Sequence, residues 1–231
     1  MLTVAFDKFG GKLGGFSANE EIMLRQALRD ACELSNLAVV SSGSGFGNKR
    51  DLLRRWFGSN GPATIRTVQT GLATMNNILN GSGTIRFVDA RNRSEKFYTL
   101  AEVPAPGAAG RYGAKIVRSS APDVLPMTAD DYAYVKCLKY KSKIEPGHVG
   151  SGMRVYIGET GFLPGMALKD RSMTVYHELT HKFLDTVDYN AARQTVYGVR
   201  ACEQLAIADP AQALKHADCW TYFVAGFKYT L

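Results

Sequence analysis

The sequence predicts an α+β fold, with a helical N-terminal part, a small central sheet and a helical last third. Apolar residues recur at helical spacing before residue 82, and short alternating runs follow between 84 and 157. Helical patterns return after residue 169. The length of 231 residues suits one domain over 1–231, with 1–82 mostly helical and 83–231 holding the sheet and the last helices.

Three helices are predicted before the sheet. The first runs from Ser17 to about Leu37, because Ser17 and Glu20 have the spacing of a capping box. A short basic helix follows over Asn48–Phe57, and Pro62–Leu79 forms the third, with proline in its first turn. The glycine-rich run after the first helix lacks the Gly-Lys-Ser/Thr ending of a phosphate loop, so nucleotide binding is not expected.

Four strands are predicted in the centre. Thr84–Val88 alternates polar and apolar side chains, and Lys96–Leu100 is expected to pair with it. Tyr132–Cys137 and Arg154–Ile157 are the other two, after the loop-rich residues 103–131.

The most informative pattern is His177-Glu178-Leu179-Thr180-His181. The residues before it, 169–176, suit a helix, and positions four apart share one face of a helix. Both imidazoles can then hold one Zn²⁺, with Glu178 directed at the water that the metal activates. This is the arrangement of a zinc peptidase. The alternative is an amphipathic helix whose two histidines pack in a core or face solvent.

A catalytic zinc ion usually has three protein ligands, so a third is expected downstream of the helix. The glycine turn and third histidine of one common zinc-peptidase pattern are absent here. Three carboxylates remain as candidates: Asp185, Asp188 and Glu203.

Further motifs flank the histidines. Together they resemble the aspzincin metallopeptidases, the family of deuterolysin and peptidyl-Lys metalloendopeptidase. That family continues from H-E-x-x-H to G-T-x-D, Tyr-Gly and Asn-Ala-Asp. The resemblance covers roughly residues 170–225 and departs at Asp185, which stands where the family has glycine. The residues that carry it are Asp185-Thr186-Val187-Asp188, Tyr197-Gly198, Ala217-Asp218 with the aromatic stretch to Phe223, and upstream Arg55-Trp56-Phe57-Gly58.

The resemblance implies a zincin-like metallopeptidase fold, with the H-E-x-x-H helix at the active site, and an endopeptidase that cuts protein or peptide chains internally. It implies His177, His181 and Asp188 as ligands of one Zn²⁺ per chain. Asp188 lies seven residues after His181, far enough for the helix to end and the chain to turn back. Glu178 is the expected general base for the zinc-activated water. We also expect Arg154–Ile157, or the loop after it, to hold the substrate at a cleft edge; the alternative is an interior strand.

The resemblance also implies a catalytic tyrosine, whose phenol would stabilise the oxyanion. Tyr197 is favoured because glycine follows it, but it lies farther from Asp188 than in the family, which leaves Tyr189 as a rival. Asp218 and Thr221 stand at two substrate-pocket positions that are acidic in lysine-specific members. With threonine at the second position, we expect a looser preference for a basic or polar residue.

Two helices are predicted after the metal helix, over Val196–Ala208 and Asp209–Gly226. Cys202 lies on the first and Cys219 on the second, where either a disulfide or two buried thiols fits. None of the four cysteines has C-x-x-C spacing, so a structural zinc finger is not expected. His216, at the position of the family's asparagine, is expected on the surface of the second helix.

Composition restricts the partners. The net charge is +7, but the basic residues are dispersed and no nucleic-acid motif accompanies them, so we expect no nucleic-acid partner. No apolar run approaches the roughly 20 residues of a membrane span. The N-terminus lacks a secretory signal pattern. Two alternatives follow: the chain is a mature or trimmed form, or it is exported without a cleaved signal. For the second we expect an effector or toxin that is cytoplasmic before delivery, with a secretion-system carrier or an immunity protein as partner.

Two other functions remain open. A toxin or interaction module could keep the fold and the zinc without hydrolysis, a reading that the displaced Tyr197 and Thr221 favour. A zinc amidase acting on cell-wall crosslinks would use the same metal ligands.

Overall fold

The structure is a computed structural model that describes residues 2–8, 15–89, 100–103, 115–118, 133–135, 138–140, 143–145, 154–157, 162–188, 190–191 and 194–231. The helices in these residues are α1 (Ala18–Ser42), α2 (Arg50–Phe57), α3 (Pro62–Leu79), α4 (Phe162–Gly165), α5 (Leu168–Phe183), α6 (Val199–Ala208), α7 (Pro210–Ala213) and α8 (Ala217–Ala225). The strands are β1 (Thr3–Lys8), β2 (Thr84–Asp89), β3 (Leu100–Val103), β4 (Lys115–Arg118), β5 (Ala133–Val135), β6 (Leu138–Tyr140), β7 (Lys143–Glu145), β8 (Arg154–Ile157), β9 (Asn190–Ala191) and β10 (Gln194–Thr195).

The α+β prediction is confirmed. The main sheet has the strand order β1-β2-β8-β5, in which β1, β2 and β8 run parallel and β5 runs antiparallel to β8. Three further strand pairs, β3 with β4, β6 with β7 and β9 with β10, are antiparallel. None of the described helices combines the length and apolar composition that a membrane span requires.

Two expectations about the sheet are wrong. β8 lies between β2 and β5, so it is an interior strand of the sheet, and its backbone hydrogen bonds are already used on both sides. It therefore does not form the cleft edge, and the other segment predicted for that role, the loop at 158–161, lies outside the described residues. β2 pairs with β1 and β8, whereas Leu100 belongs to β3, which pairs with β4. Residues 96–99 lie outside the described part of the chain.

Two of the N-terminal helices, α1 and α3, pack against α5, the helix that carries His177 and His181. The predicted capping box is present: the Glu20 amide donates to the Ser17 hydroxyl at 3.4 Å, and the Ser17 amide donates to the Glu20 carboxylate at 2.8 Å. α1 continues to Ser42, beyond the predicted end at Leu37, and packs against α3 and α5. Its buried face belongs to one hydrophobic cluster that also includes residues of α5, α6 and α8.

The Arg55-Trp56-Phe57-Gly58 motif is a packing motif. Gly58 ends α2 with φ +70°, and a Cβ there would collide with the carbonyl oxygen of Ala206 in α6. The Trp56 ring lies 5.2 Å from Tyr222, and the Phe57 ring lies 5.2 Å from Trp220. The motif therefore seats α2 against α6 and α8, the helices beside the metal centre.

The last third differs from its prediction in two places. α6 begins at Val199, three residues later than predicted, because Gly198 adopts φ +89° and ψ 164°. The single helix predicted after residue 209 is two helices, α7 and α8. His216 caps α8 and is fully buried, so its expected surface position is wrong.

Candidate metal centre

α5 brings the two histidines together. His177 and His181 lie one turn apart, and their Nε2 atoms are 3.1 Å from each other. The start of the helix is fixed by the buried Arg171, whose guanidinium donates to the carbonyls of Leu163 at 2.8 Å and Met166 at 2.5 Å. The metal helix is thus anchored at its first turn before it reaches the site.

Asp188 returns to the two rings after the helix ends. Asp185 has φ +54°, and this left-handed residue reverses the chain after Leu184. The Asp188 carboxylate lies 3.3 Å from His177 Nε2 and 3.5 Å from His181 Nε2. One ligand atom from each of the three residues lies within 4.8 Å of the others. The structure therefore brings together the three residues that the sequence singled out.

Hydrogen bonds fix the orientation of both rings. His177 Nδ1 lies 2.7 Å from Asp218 Oδ1, and His181 Nδ1 lies 2.8 Å from the Thr186 carbonyl oxygen. Because a carboxylate and a carbonyl can only accept, both Nδ1 atoms donate. The Nε2 lone pairs then face one another and the Asp188 carboxylate, whose buried Oδ1 has no hydrogen-bond donor in the part of the chain that the structure describes. Such a cluster of acceptors fits a cation.

The electrostatics agree with this fit. Burial alone would lower the pKa of His177 and of His181, but the carboxylate of Asp188 outweighs burial and raises both. Burial would raise the pKa of Asp188, yet the two histidines hold it well below its usual range. The site thus favours positive charge between these three side chains.

Two threonines support the ligands. The Thr180 hydroxyl donates to the His177 carbonyl at 2.7 Å and lies 2.8 Å from the Thr186 hydroxyl. Both threonines are buried. The threonine inside H-E-L-T-H therefore meets the threonine of the downstream D-T-V-D, which holds the helix and the returning segment together.

The downstream segment is also held by the backbone before α8. The Val187 amide donates to the Lys215 carbonyl at 2.8 Å, and the Ala217 amide donates to the Val187 carbonyl at 3.3 Å. Val187 immediately precedes Asp188, and Ala217 immediately precedes Asp218. This bridge sets the distance between the carboxylates of Asp188 and Asp218, both of which contact His177.

Tyr197 lies at the same site. Its phenol donates to Asp188 Oδ2 at 3.0 Å, its ring is 6.4 Å from that of His177, and its side chain is 55% exposed. Burial of the phenol and the nearby Asp188 raise its pKa, so it keeps its proton at neutral pH. Tyr189 lies outside the described residues.

The backbone on both sides of Tyr197 is anchored. The carbonyl of Val196 accepts from His216 Nε2 at 3.0 Å. The amide of Gly198 donates to Asp218 Oδ2 at 3.0 Å. These two bonds fix a residue whose side chain is half in solvent, and the sequence pattern alone did not reveal them.

Asp218 and Thr221 have partners other than a substrate. The Asp218 carboxylate is buried, with one oxygen on His177 and the other on Gly198. The Thr221 hydroxyl is 2% exposed and donates to the Ala217 carbonyl at 2.9 Å. The predicted substrate-binding role of both residues stays a prediction.

Glu178 is buried on α5 between the two histidines, and its charge contributes to the raised pKa of each ring. The two other carboxylate candidates lie apart from the cluster. Asp185 is exposed, and Glu203 accepts from Arg55 at 2.6 Å.

Comparison with known proteins agrees with this geometry. Residues 155–225 match the model of the aspzincin family, described as lysine-specific metallo-endopeptidase. The matched segment contains the H-E-x-x-H helix, Asp188, Tyr197 and Asp218. No curated protein sequence matches the chain.

Among solved structures, a zinc peptidase from Grifola frondosa has a similar fold. The TM-score is 0.50 at 20% sequence identity, and the alignment covers 91% of this chain and 97% of that one. The predicted zincin-like α+β fold is thereby confirmed. Over residues 155–225 the chain is therefore similar to the aspzincin family, and its overall fold is similar to that of a zinc peptidase.

Proposed function

We propose that this chain hydrolyses internal peptide bonds and holds one Zn²⁺ per chain with His177, His181 and Asp188. The observation that carries the proposal is the convergence of their three ligand atoms within 4.8 Å. Two imidazole nitrogens and one carboxylate oxygen form a donor set of the catalytic zinc type. Bound there, zinc would supply an acidified water and polarise the scissile carbonyl.

Glu178 acts as the general base. It lies on the same helix as both histidines, and its side chain is only 7% exposed. Burial beside the imidazoles keeps bulk water away from its carboxylate, which takes a proton from the attacking water and delivers it to the leaving amine.

Tyr197 stabilises the oxyanion. Its phenol keeps its proton, so it can donate one hydrogen bond, which it gives to Asp188 in the absence of substrate. The exposed ring can turn toward a substrate carbonyl while Val196 and Gly198 hold its backbone. The donor then meets the charge that develops on the carbonyl oxygen.

Asp218 positions His177 rather than binding substrate. Its oxygens accept from His177 and Gly198 and the residue is buried, so a lysine ammonium has little access to the carboxylate. Thr221 brings no charge to the same region. We therefore propose cleavage of protein or peptide substrates without strict lysine selectivity.

The test compares the wild-type chain with Glu178→Ala, each loaded with zinc. We expect about one zinc per chain in both by elemental analysis. Casein cleavage should fall by roughly 10²–10⁴-fold in the variant, because general-base catalysis supplies about that factor. Asp170→Ala, at an exposed position on the same helix, should cleave as the wild type does.

Digestion of a complex peptide mixture then reports the residues beside each cut. We expect a scatter of sites rather than lysine alone. Cleavage by Glu178→Ala at near wild-type rate would show that the base is another group. Bound zinc without proteolysis by the wild type would favour the interaction module, and release of fragments from purified cell wall without casein cleavage would favour the amidase.

A further inference from the structure

A second group of reactive side chains is buried behind the metal centre. Cys202 of α6, His216 and Cys219 of α8 are all fully buried, and their ligand atoms lie within 4.8 Å of one another. Both cysteines are free thiols in the structure. Neither sulfur takes part in the proposed hydrolysis.

The two cysteines flank a hydrogen bond that the site depends on. The Cys202 amide donates to the Gly198 carbonyl at 3.0 Å, one helical turn away. Cys219 follows Asp218, whose carboxylate accepts from the Gly198 amide. A covalent bond between the sulfurs would therefore crosslink the two segments that the Gly198–Asp218 hydrogen bond holds together.

A metal ion is the weaker occupant of this group. His216 already uses both ring nitrogens: Nε2 donates to the Val196 carbonyl at 3.0 Å, and Nδ1 accepts from the Asp218 amide at 3.1 Å. Metal ligation would leave that amide, at the start of α8, without its acceptor. Structural zinc sites also have four protein ligands, and the described residues supply three here.

The two side chains interact directly in the reduced chain. A hydrogen bond from Cys202, together with His216, outweighs burial and lowers the pKa of Cys219 to about 6. The same hydrogen bond, together with burial, raises the pKa of Cys202. The lowered pKa favours the thiolate of Cys219, which is the form of a cysteine that attacks a disulfide.

We propose that Cys202 and Cys219 become joined by a disulfide bond when the chain folds in the presence of a small-molecule disulfide such as oxidised glutathione. The thiolate of one cysteine attacks the small disulfide and releases one small thiolate. The second cysteine loses its proton and attacks the mixed disulfide, which forms the Cys202–Cys219 bond and releases the other small thiol. The two protein sulfurs are oxidised, and the small disulfide is reduced to two thiols.

Neither side chain reaches solvent in the folded chain, so the mixed disulfide with the small molecule forms before α6 and α8 dock. Docking then selects this pair among the four cysteines, because it brings the second sulfur to the first. The finished bond is shielded from reductants. The crosslink holds Gly198, and with it Tyr197, against Asp218. This inference does not depend on the peptidase activity.

The experiment uses the full chain with Cys32→Ala and Cys137→Ala, which leaves only the proposed pair. The unfolded variant is refolded with oxidised glutathione, denatured without reductant and alkylated. We expect no alkylated cysteine, and a digest that contains the 202 and 219 peptides joined. The oxidised form should melt higher than the reduced form by roughly 6–12 °C, since the linked segment is short.

A further variant adds Cys202→Ala to this background. It should give no crosslinked peptide and no change in melting temperature on oxidation. Two alkylated cysteines in the refolded variant that carries only Cys32→Ala and Cys137→Ala would overturn the proposal. A lower melting temperature of that variant after oxidation would do the same. The proposal would also be wrong if the reduced form of that variant bound a second metal ion and Cys202→Ala abolished this binding. That result would indicate a metal site in place of a disulfide.

Discussion

The carboxylate of Asp218 lies 2.7 Å from Nδ1 of His177, although the two residues are 41 positions apart in the chain. The bond fixes which ring nitrogen carries the proton, so that Nε2 points toward Asp188 and His181. Asp218 is thus a positioning residue for a proposed metal ligand.

Asp218→Asn should weaken zinc binding by roughly 10–100-fold, because the neutral amide supports the His177 ring less and cannot accept from Gly198 with its nitrogen. Competition with a zinc-binding dye measures the affinity directly. Asp209→Asn is the matched control, since Asp209 caps α7 and asparagine caps equally well. Equal zinc affinity in wild type and Asp218→Asn would contradict the positioning role.

Gly198→Ala should reduce both stability and activity. Gly198 has φ +89° and ψ 164°, a backbone conformation that only glycine adopts readily, so alanine should cost about 1–3 kcal/mol. No atom of the described residues lies within 4 Å of the added Cβ, so the effect comes from the backbone. Gly165→Ala, also in open space but without a positive φ, should be close to neutral by thermal unfolding. Similar losses in both variants would show that backbone strain is not the cause.

Asp185→Gly should stabilise the chain by about 0.5–1 kcal/mol. Asp185 has φ +54°, where a side chain is disfavoured, and glycine relieves that strain at a smaller entropic cost in the unfolded chain. Asp185→Ala should instead destabilise, because alanine tolerates this conformation less than aspartate. The urea concentration at the midpoint of unfolding should be highest for Asp185→Gly, lower for the wild type and lowest for Asp185→Ala. Another order would mean that the Asp185 carboxylate has a role of its own.

Asp30 should make stability depend on acid pH. Burial raises its pKa, but hydrogen bonds from Lys228 at 2.5 Å and Tyr229 at 2.7 Å outweigh burial and lower it. The stabilisation is therefore complete above the unfolded pKa of about 3.9 and is lost as pH falls through the lower folded value. Asp30→Asn should cost roughly 1.5–3 kcal/mol at neutral pH and progressively less below about pH 4.

Glu33→Gln is the control for Asp30. Glu33 contacts the same Lys228 at 2.8 Å, but its side chain is 56% exposed, so its loss should change stability by less than about 1 kcal/mol. Unfolding curves between about pH 2 and 7 compare the two variants with wild type. A deficit for Asp30→Asn that does not shrink at low pH would contradict the assignment.

The helices and the candidate metal-binding cluster could be predicted from the sequence because their signals are local. α3 has its predicted bounds, Pro62–Leu79, since proline at its start and apolar spacing are both written in the segment. The H-E-x-x-H spacing likewise places two rings on one face of α5. Asp188 could be predicted as a ligand only from the family pattern, because the loop that carries it has no local periodicity.

What the sequence could not show depends on distant partners. β1 forms through pairing with β2, about 80 residues later in the chain, and carries no turn signal of its own. The burial of His216 and the left-handed Asp185 follow from the bridge between residue 187 and the segment 215–217. The loop-rich stretch 103–131 and Tyr189 lie largely or wholly outside the described residues. The single domain over 1–231, export, a carrier and an immunity protein stay predictions.

If zinc binds at the proposed site, the Val187 bridge couples its affinity to local folding. The strand-like contact joins the loop that ends in Asp188 to the residues before α8. A displacement of either segment therefore disrupts the hydrogen bonds of the other. Any free energy that zinc contributes to Asp188 is shared with the docking of α8. A chelator should therefore destabilise α8 locally. The amide protons of α8 should exchange with solvent faster after the ion has been removed.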